Sequence, residues 1–285
     1  MKRQKSFENE KPTLFLVPTP IGNLSEMTPR AIEVLNEVDV IACEDTRTSG
    51  QLLKHFDIHK RLVSYQNFNE ETSADGLINL LSQGQNVALI SDAGYPLMSD
   101  PGQRVVRKAT EEGYNVVPLS GCNAMLNALV ASGLIVQPFI FIGFLPPSSS
   151  LCKKKLQEYV DYPMTLVFYE APHRIEKMLK ACLEVLGDRE CSLARELTKV
   201  HEEFLRGTIS EILEEVDGLK GEMVVCVAGN TEEKKKDVDA GFILSTVQEA
   251  IASGMTTSDA IKDTAKKLKL PKNKVYDLVH SQNKA

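Results

Sequence analysis

The sequence predicts an α/β protein: a mostly parallel, doubly covered sheet, then a mixed sheet, then a small helix-turn-helix-like tail. Three observations carry this expectation. Short apolar runs alternate with amphipathic stretches over residues 12–119. Over 120–230 the apolar runs lie closer together, with less helix between them. Beyond that the composition turns charged and then helical, which marks 238–285 as a separate tail. Strands separated by helix-length segments favour parallel pairing with both faces buried.

In order, "TLFLV" (13–17) precedes a helix whose inward face is Ala31, Ile32, Val34, Leu35 and Val38. "DVIAC" (39–43) leads to a polar helix starting near Arg47, and "RLVSY" (61–65) to one carrying Leu77, Ile78, Leu80 and Leu81. "NVALIS" (86–91) precedes a stretch from about Gln103 to Glu112, and "NVVPL" (115–119) closes the first unit. After the small-residue helix "NAMLNALVASG", five further strands are expected in "FIFIGFL", "MTLVFYE", "ECSLARE", "HEEFLRGTI" and "EMVVCVAG", with few clear helices. "NTEEKKKDVD" then reads as a charged linker. In the tail, Ala260, Ile261, Ala265 and Leu268 form one helical stripe, Leu270-Pro271 breaks it, and Val275, Tyr276 and Val279 begin another.

The 285 residues are 42% hydrophobic and 25% charged, the balance of a globular protein with room for two domains and an appendage. The polar start "MKRQKSFENEK" does not read as a signal peptide, and no apolar run nears the roughly 18 residues of a membrane span. A cytoplasmic protein is the expectation. The six cysteines include no C-x-x-C pair, so buried thiols are expected rather than a zinc site, and no metal site is expected. A net charge of -6 argues against general polyanion binding, so any contact with nucleic acid must be local. Residues 231–285 carry 10 Lys/Arg against 8 Asp/Glu, which suits a packing appendage and a nucleic-acid contact equally.

Three loops follow strands of the first unit, where open α/β sheets bind ligands: "TPIGN" (19–23), "SDAGYPLMSDPG" (91–102) and "SGCNA" (120–124). The first is neither a phosphate loop nor a dinucleotide fingerprint. Pro18 and Pro20 at its start remove amide donors, which suits an apolar or cationic ligand better than a pyrophosphate. In the second loop Asp100 is expected to cap the following helix. Asp92 has no such structural excuse and is expected to face a ligand.

"LVPTPIGNLSEMT", "IACEDTR", "SDAGYPLMSDPG", "FYEAPHR" and "ARELTKVHEE" together resemble the signatures of bacterial 16S ribosomal RNA (cytidine-2'-O-)-methyltransferases, of the tetrapyrrole-methylase superfamily. The resemblance spans about 12–230 and continues into the tail. It implies two α/β domains with S-adenosylmethionine in the cleft between them, a homodimer, and 16S rRNA of the small ribosomal subunit as partner. On matching positions it implies cofactor contacts at Ile21, Ser91, Asp92, Tyr95, Asn123, Ala124, Glu170, Leu197 and Met223. "SGCNA" and "YPLM" depart from the family's usual pattern but keep the small positions Gly121 and Ala124. The cofactor has a positive sulfonium and no phosphate, so a proline turn without a lysine suits it.

Methyl transfer to a ribose hydroxyl is an in-line displacement that needs alignment, exclusion of water and a base or an alkoxide-stabilising cation. Glu44, Asp45 and Arg47 of "CEDTR", with Lys199, are the candidates. His173, Arg174, Arg195 and Glu196 are further second-unit groups within the matched motifs. Asp45 has a plain alternative as a helix cap that holds Arg47. Two rival functions stay open at this point: a methylase of a small tetrapyrrole, and a ligand-sensing DNA-binding regulator.

Overall fold

The computed structural model describes residues 1–66, 70–231, 239–268 and 270–282. The chain divides into two compact units, Met1–Asn230 and Thr231–Ala285. Most of the expected linker, 232–238, lies outside the described residues, as does Lys269.

In the first unit, β1 (Thr13–Val17), β2 (Val40–Cys43), β3 (Arg61–Ser64), β4 (Val87–Ile90) and β5 (Asn115–Pro118) form one sheet in the order β3-β2-β4-β1-β5. Every pairing is parallel. Helices α1 (Pro29–Glu37), α2 (Thr46–His55), α3 (Glu70–Ser82) and α4 (Gln103–Glu112) alternate with these strands. Val17, Ile41, Ala88 and Ile90 pack on one face with Ala31, Leu35 and Leu53. Leu14, Leu16, Ala42 and Leu89 pack on the other with Leu77, Leu81, Val105 and Ala109. Burial on both faces is why the central strands read as unbroken apolar runs rather than alternating ones. Neighbouring strands β4, β1 and β5 release their loops side by side at one end of the sheet.

A second sheet in the same unit contains β6 (Phe139–Phe144), β7 (Thr165–Glu170), β8 (Glu190–Arg195), β9 (Glu203–Thr208) and β10 (Met223–Val227), in the order β6-β7-β10-β8-β9. It is mixed: β6 and β7 are parallel and the remaining pairs antiparallel. More helix surrounds it than the sequence suggested. Besides α5 (Ala124–Ala131) and α6 (Ser149–Gln157) there are α7 (Ile175–Leu186) and α8 (Ile209–Glu215). α7 buries Ile175, Met178, Leu179, Ala181, Cys182 and Leu186, a helical spacing. Its start lacks the usual signal, because Arg174 stands at the N-cap without a side-chain cap bond.

One face of the second sheet is covered by α6, α7 and α8. The opposite face receives α5: Met125, Ala128 and Leu129 pack with Val167, Ala194, Val224 and Cys226. Ile21 and Met98, from loops after β1 and β4, join this same cluster. Asn123 starts α5 by accepting a hydrogen bond from the Leu126 amide at 3.0 Å. The two sheets are thereby joined through one apolar layer.

Among the described residues the second compact unit contains three helices rather than two: α9 (Ala240–Ala252), α10 (Thr257–Lys267) and α11 (Lys272–Gln282). Ile243 and Val247 of α9 share a core with Ala260, Ile261, Ala265 and Val275, so the expected helix pair is completed by the one before it. All six cysteines are free and buried. No described helix is long and apolar enough to cross a membrane.

Because Leu129 is 1% exposed in the layer joining the sheets, Leu129→Ala is expected to destabilise the first unit by about 2–5 kcal/mol. Denaturant unfolding with unchanged m-value and a lowered midpoint is the expected result.

Candidate active-site cleft

Five non-glycine residues among those described have positive φ, and four sit in two segments: Leu97 (72°) and Ser99 (75°), and Glu196 (50°) and Thr198 (69°). Such conformations cost about 1–3 kcal/mol each and persist only where surrounding structure holds them. Both segments line one cleft of about 220 Å³. The first follows β4 and the second follows β8.

Hydrogen bonds clamp the loops. Thr19 and Gly94 exchange backbone bonds of 2.9 and 3.0 Å, and Thr19 Oγ1 donates to the Ser91 carbonyl at 3.0 Å. Ser91 Oγ donates to the Gly94 carbonyl at 2.8 Å, and Tyr95 Oη to the Leu119 carbonyl at 2.6 Å. The first two ligand-type loops are thus tied to each other and to the strand end that leads into the third. Gly121 adds the third loop by close approach, since a Cβ there would sit 2.9 Å from the Pro18 ring.

Of the expected cofactor contacts, Ile21, Asp92, Tyr95, Asn123, Ala124, Glu170, Leu197 and Met223 all line the cleft. Ser91 does not; it is 3% exposed and acts as a loop clamp. The antiparallel register explains how distant positions meet: Met223 lies opposite Glu170 on β7 and Arg195 on β8. Lys199 also lines the cleft. It reaches the first loop from the second sheet, and a Cβ at Gly22 would lie 2.5 Å from its Cγ. The proline turn therefore has a lysine against it after all. Its charge is met by Glu196, with Nζ 2.9 Å from Oε1.

Four carboxylates face the cleft, from Asp92, Asp100, Glu196 and Glu222, against Lys199 as the one cationic side chain among the described lining residues; Glu170 also borders it, but its side chain is fully buried. Asp100 is not the helix cap expected of it. Gly102 occupies that position without a side-chain cap bond, and Glu70 of α3 accepts from the Gly102 and Arg104 amides, both at 3.3 Å. Burial first, then the charges of Glu44, Asp92 and Glu222, push the Asp100 carboxyl up to about 6. Sequence reading missed Asp100, Glu222 and Tyr169 as lining groups. For Glu222 a signal existed: an acid directly flanking a buried strand, as Asp92 does.

Glu44, Asp45 and Arg47 do not line the cleft, but they adjoin it. The Asp45 amide lies 3.4 Å from Asp92 Oδ1. Asp45 caps α2 by accepting from the Arg47 amide at 2.8 Å, and it pairs with the Arg47 guanidinium at 3.0 Å. These bonds hold its carboxyl below the usual range. Arg47 is 89% exposed. Burial, followed by the Asp92 charge, raises the Glu44 carboxyl.

Known proteins share this architecture. Diphthine synthase superposes with a TM-score of 0.59 at 14% identity, over 76% of this chain and 90% of its own. A cobalt precorrin-4 methyltransferase of cobalamin biosynthesis superposes with 0.55 at 14% identity, over 76% and 94%. Relatives named "Ribosomal RNA small subunit methyltransferase I" align almost end to end. The Bacillus subtilis (strain 168) protein is 45% identical over 98% of this chain and 99% of its own, and the Synechocystis sp. protein is 41% identical over 93% and 96%. The family model for tetrapyrrole (corrin/porphyrin) methylases matches residues 13–213, and the chain, with its parallel sheet, mixed sheet and carboxylate-rich cleft, belongs to that family.

Proposed function

We propose that this protein transfers a methyl group from S-adenosylmethionine to the 2'-hydroxyl of a cytidine in 16S rRNA, acting in the cytoplasm as a homodimer on the small ribosomal subunit. The charge of the cleft is the observation that carries the cofactor: four carboxylates facing it, from Asp92, Asp100, Glu196 and Glu222, to one lysine make a site for a cation, not for a phosphate. The near full-length relatives named as ribosomal RNA methyltransferases support the substrate class. The cytidine and its 2'-oxygen rest on the motif resemblance.

The residues fit the cofactor. Ile21, Ala124, Leu197 and Met223 offer apolar walls to an adenosine, while Asp92, Asp100 and Glu222 offer negative charge to a sulfonium and an amine. Bound S-adenosylmethionine supplies an activated methyl on a positively charged sulfur. Asp100 is the group we assign as proton acceptor: a carboxyl tuned to about 6 is ionised at neutral pH yet basic enough to take a proton as the hydroxyl attacks. Lys199, held by Glu196, stands to stabilise the developing alkoxide. Glu44 and Asp92 assist through their charges, which raise Asp100. Exposed Arg47 suits a phosphate contact with the RNA.

Asp92→Ala is expected to weaken S-adenosylmethionine binding about ten- to a hundredfold, the loss of a charge-assisted contact. Calorimetry showing unchanged affinity in the folded variant would remove Asp92 from the site.

For Asp100, kcat/KM for methylation is expected to rise with pH through about 6 and then level. The kcat profile should turn at a lower pH, because a bound cation favours the ionised carboxylate. Asp100→Asn should abolish the inflection and slow single-turnover transfer by about 10²–10⁴. Its effect on stability has the opposite sign. The folded carboxyl binds its proton more tightly than the unfolded one, so native stability is lost as pH rises toward and through about 6. The neutral variant should therefore melt higher than wild type at pH 7. A variant that keeps both the rate and the inflection rules Asp100 out as the base.

A further inference from the structure

A second cavity, of about 590 Å³, opens between α6 and α7, beside the cleft and sharing Glu170 with it. Along β7, Leu166 and Phe168 face the α6–α8 core while Val167 and Tyr169 face the α5 layer. Side chains alternate along a strand, so Glu170 falls on the α6–α7 side. Its side chain is 0% exposed. Oε1 accepts from the Ala171 amide at 2.9 Å and lies 3.3 Å from Arg174 Nε, but Oε2 is buried with no hydrogen-bond partner. A buried acceptor left open is costly, and it marks the floor of this cavity as built to receive a donor.

The rim has the opposite character. Lys153, Arg174, Lys177 and Lys180 line the cavity with His173, against Glu170 and Glu184. Lys153 already meets Glu184 at 2.6 Å, and Arg174 donates to the Leu145 carbonyl at 2.7 Å. α7 begins here at Arg174, whose side chain makes no cap bond, and the helix N-terminus adds positive potential. The ligand this arrangement fits has an N–H group at one end and negative charge at the other. Between cleft and cavity runs the segment 144–147. Phe144 lines the cleft, is 54% exposed and meets Tyr169 edge-on at 5.6 Å, while Pro146 and Pro147 line the cavity. An exposed aromatic face is a platform on which an unpaired base stacks.

We propose that this second cavity holds an unstacked nucleotide of single-stranded RNA next to the one being methylated, its base donating to Glu170 and its phosphates meeting the Lys153–Lys177 rim, with the strand crossing Phe144 on its way from the cleft. The proposal rests on the RNA-methylation reading and extends it to how the strand is gripped.

The test uses the full-length protein and a fluorescent single-stranded RNA decamer, followed by anisotropy over a range of salt. Lys153→Ala with Lys177→Ala is expected to weaken RNA binding about tenfold near physiological salt. The slope of log K against log salt should become shallower by about 1.4, since each phosphate contact with a single strand contributes about 0.7. Calorimetric affinity for S-adenosylmethionine should not change, because neither lysine lines the cleft. Glu170→Gln should weaken RNA binding without altering the salt slope, the mark of a base contact rather than a phosphate contact. Equal affinity and slope in the lysine variant overturns the proposal, as does an RNA that wild type fails to bind. Inorganic phosphate competing as well as the decamer, with Glu170→Gln silent, reduces the cavity to a bare anion site and overturns the nucleotide assignment. RNA binding that responds to these variants without any methyl transfer to small-subunit RNA sinks the methylation reading alone and leaves the cavity assignment standing.

Discussion

The packing of α5 against the open face of the second sheet is the contact on which the rest of the first unit depends. Met125, Ala128 and Leu129 contribute from the helix, Val167, Ala194, Val224 and Cys226 from the sheet. An amphipathic element must bury its apolar side, and here the burial is shared with Ile21 and Met98 from the first sheet's loops. The same hydrophobic layer therefore joins the sheets and places the loop residues that line the cleft. Asn123 serves both ends of this arrangement, capping α5 and lining the cleft.

Around that layer the backbone is held where it would not rest by itself. Leu97, Ser99, Glu196 and Thr198 occupy left-handed conformations that side chains with a Cβ disfavour. The hydrogen bonds from Thr19, Ser91 and Tyr95 help to hold the first of these segments. Strain of this kind concentrates at sites where geometry matters more than stability. Its chemical counterpart is the crowding of acids: Asp92, Asp100 and Glu222 share one cleft, and Glu44 adds its charge from behind. Like charges held together weaken the fold at neutral pH. A cationic ligand relieves that cost, so the unfavourable term of the free protein becomes binding energy.

Glu170 connects the two halves of the functional reading. It ends β7 at the cleft, and its carboxylate lies beneath it toward α6 and α7 with Arg174. Lys199 has a comparable double placement, its stem against Gly22 and its ammonium against Glu196. Glu170 ends a buried strand and Lys199 follows one, so a fixed backbone aims both side chains.

Much of the fold was legible in the sequence because its signals are local. Apolar runs such as "VALI" and "MVVCV" can be covered only from both faces, and the crossings between parallel strands must be helical. Asp92 was legible for the same reason, as it follows a strand whose end is predictable, whereas Ile21 and Tyr95 were legible only through the motif resemblance. The helix α7 was missed although its apolar spacing is present in the sequence, because it starts without a cap to mark its boundary. The third tail helix α9 was visible only through the core it completes. Nor could sequence assign Asp100: capping is a local rule, and Glu70 of α3 satisfied the α4 amides from more than thirty residues away. The lysine against the proline turn came from the second sheet for the same reason. Local chemistry determined which elements form and which loops are unusual; through-space contacts between distant segments decided which charges meet, and hence their ionisation.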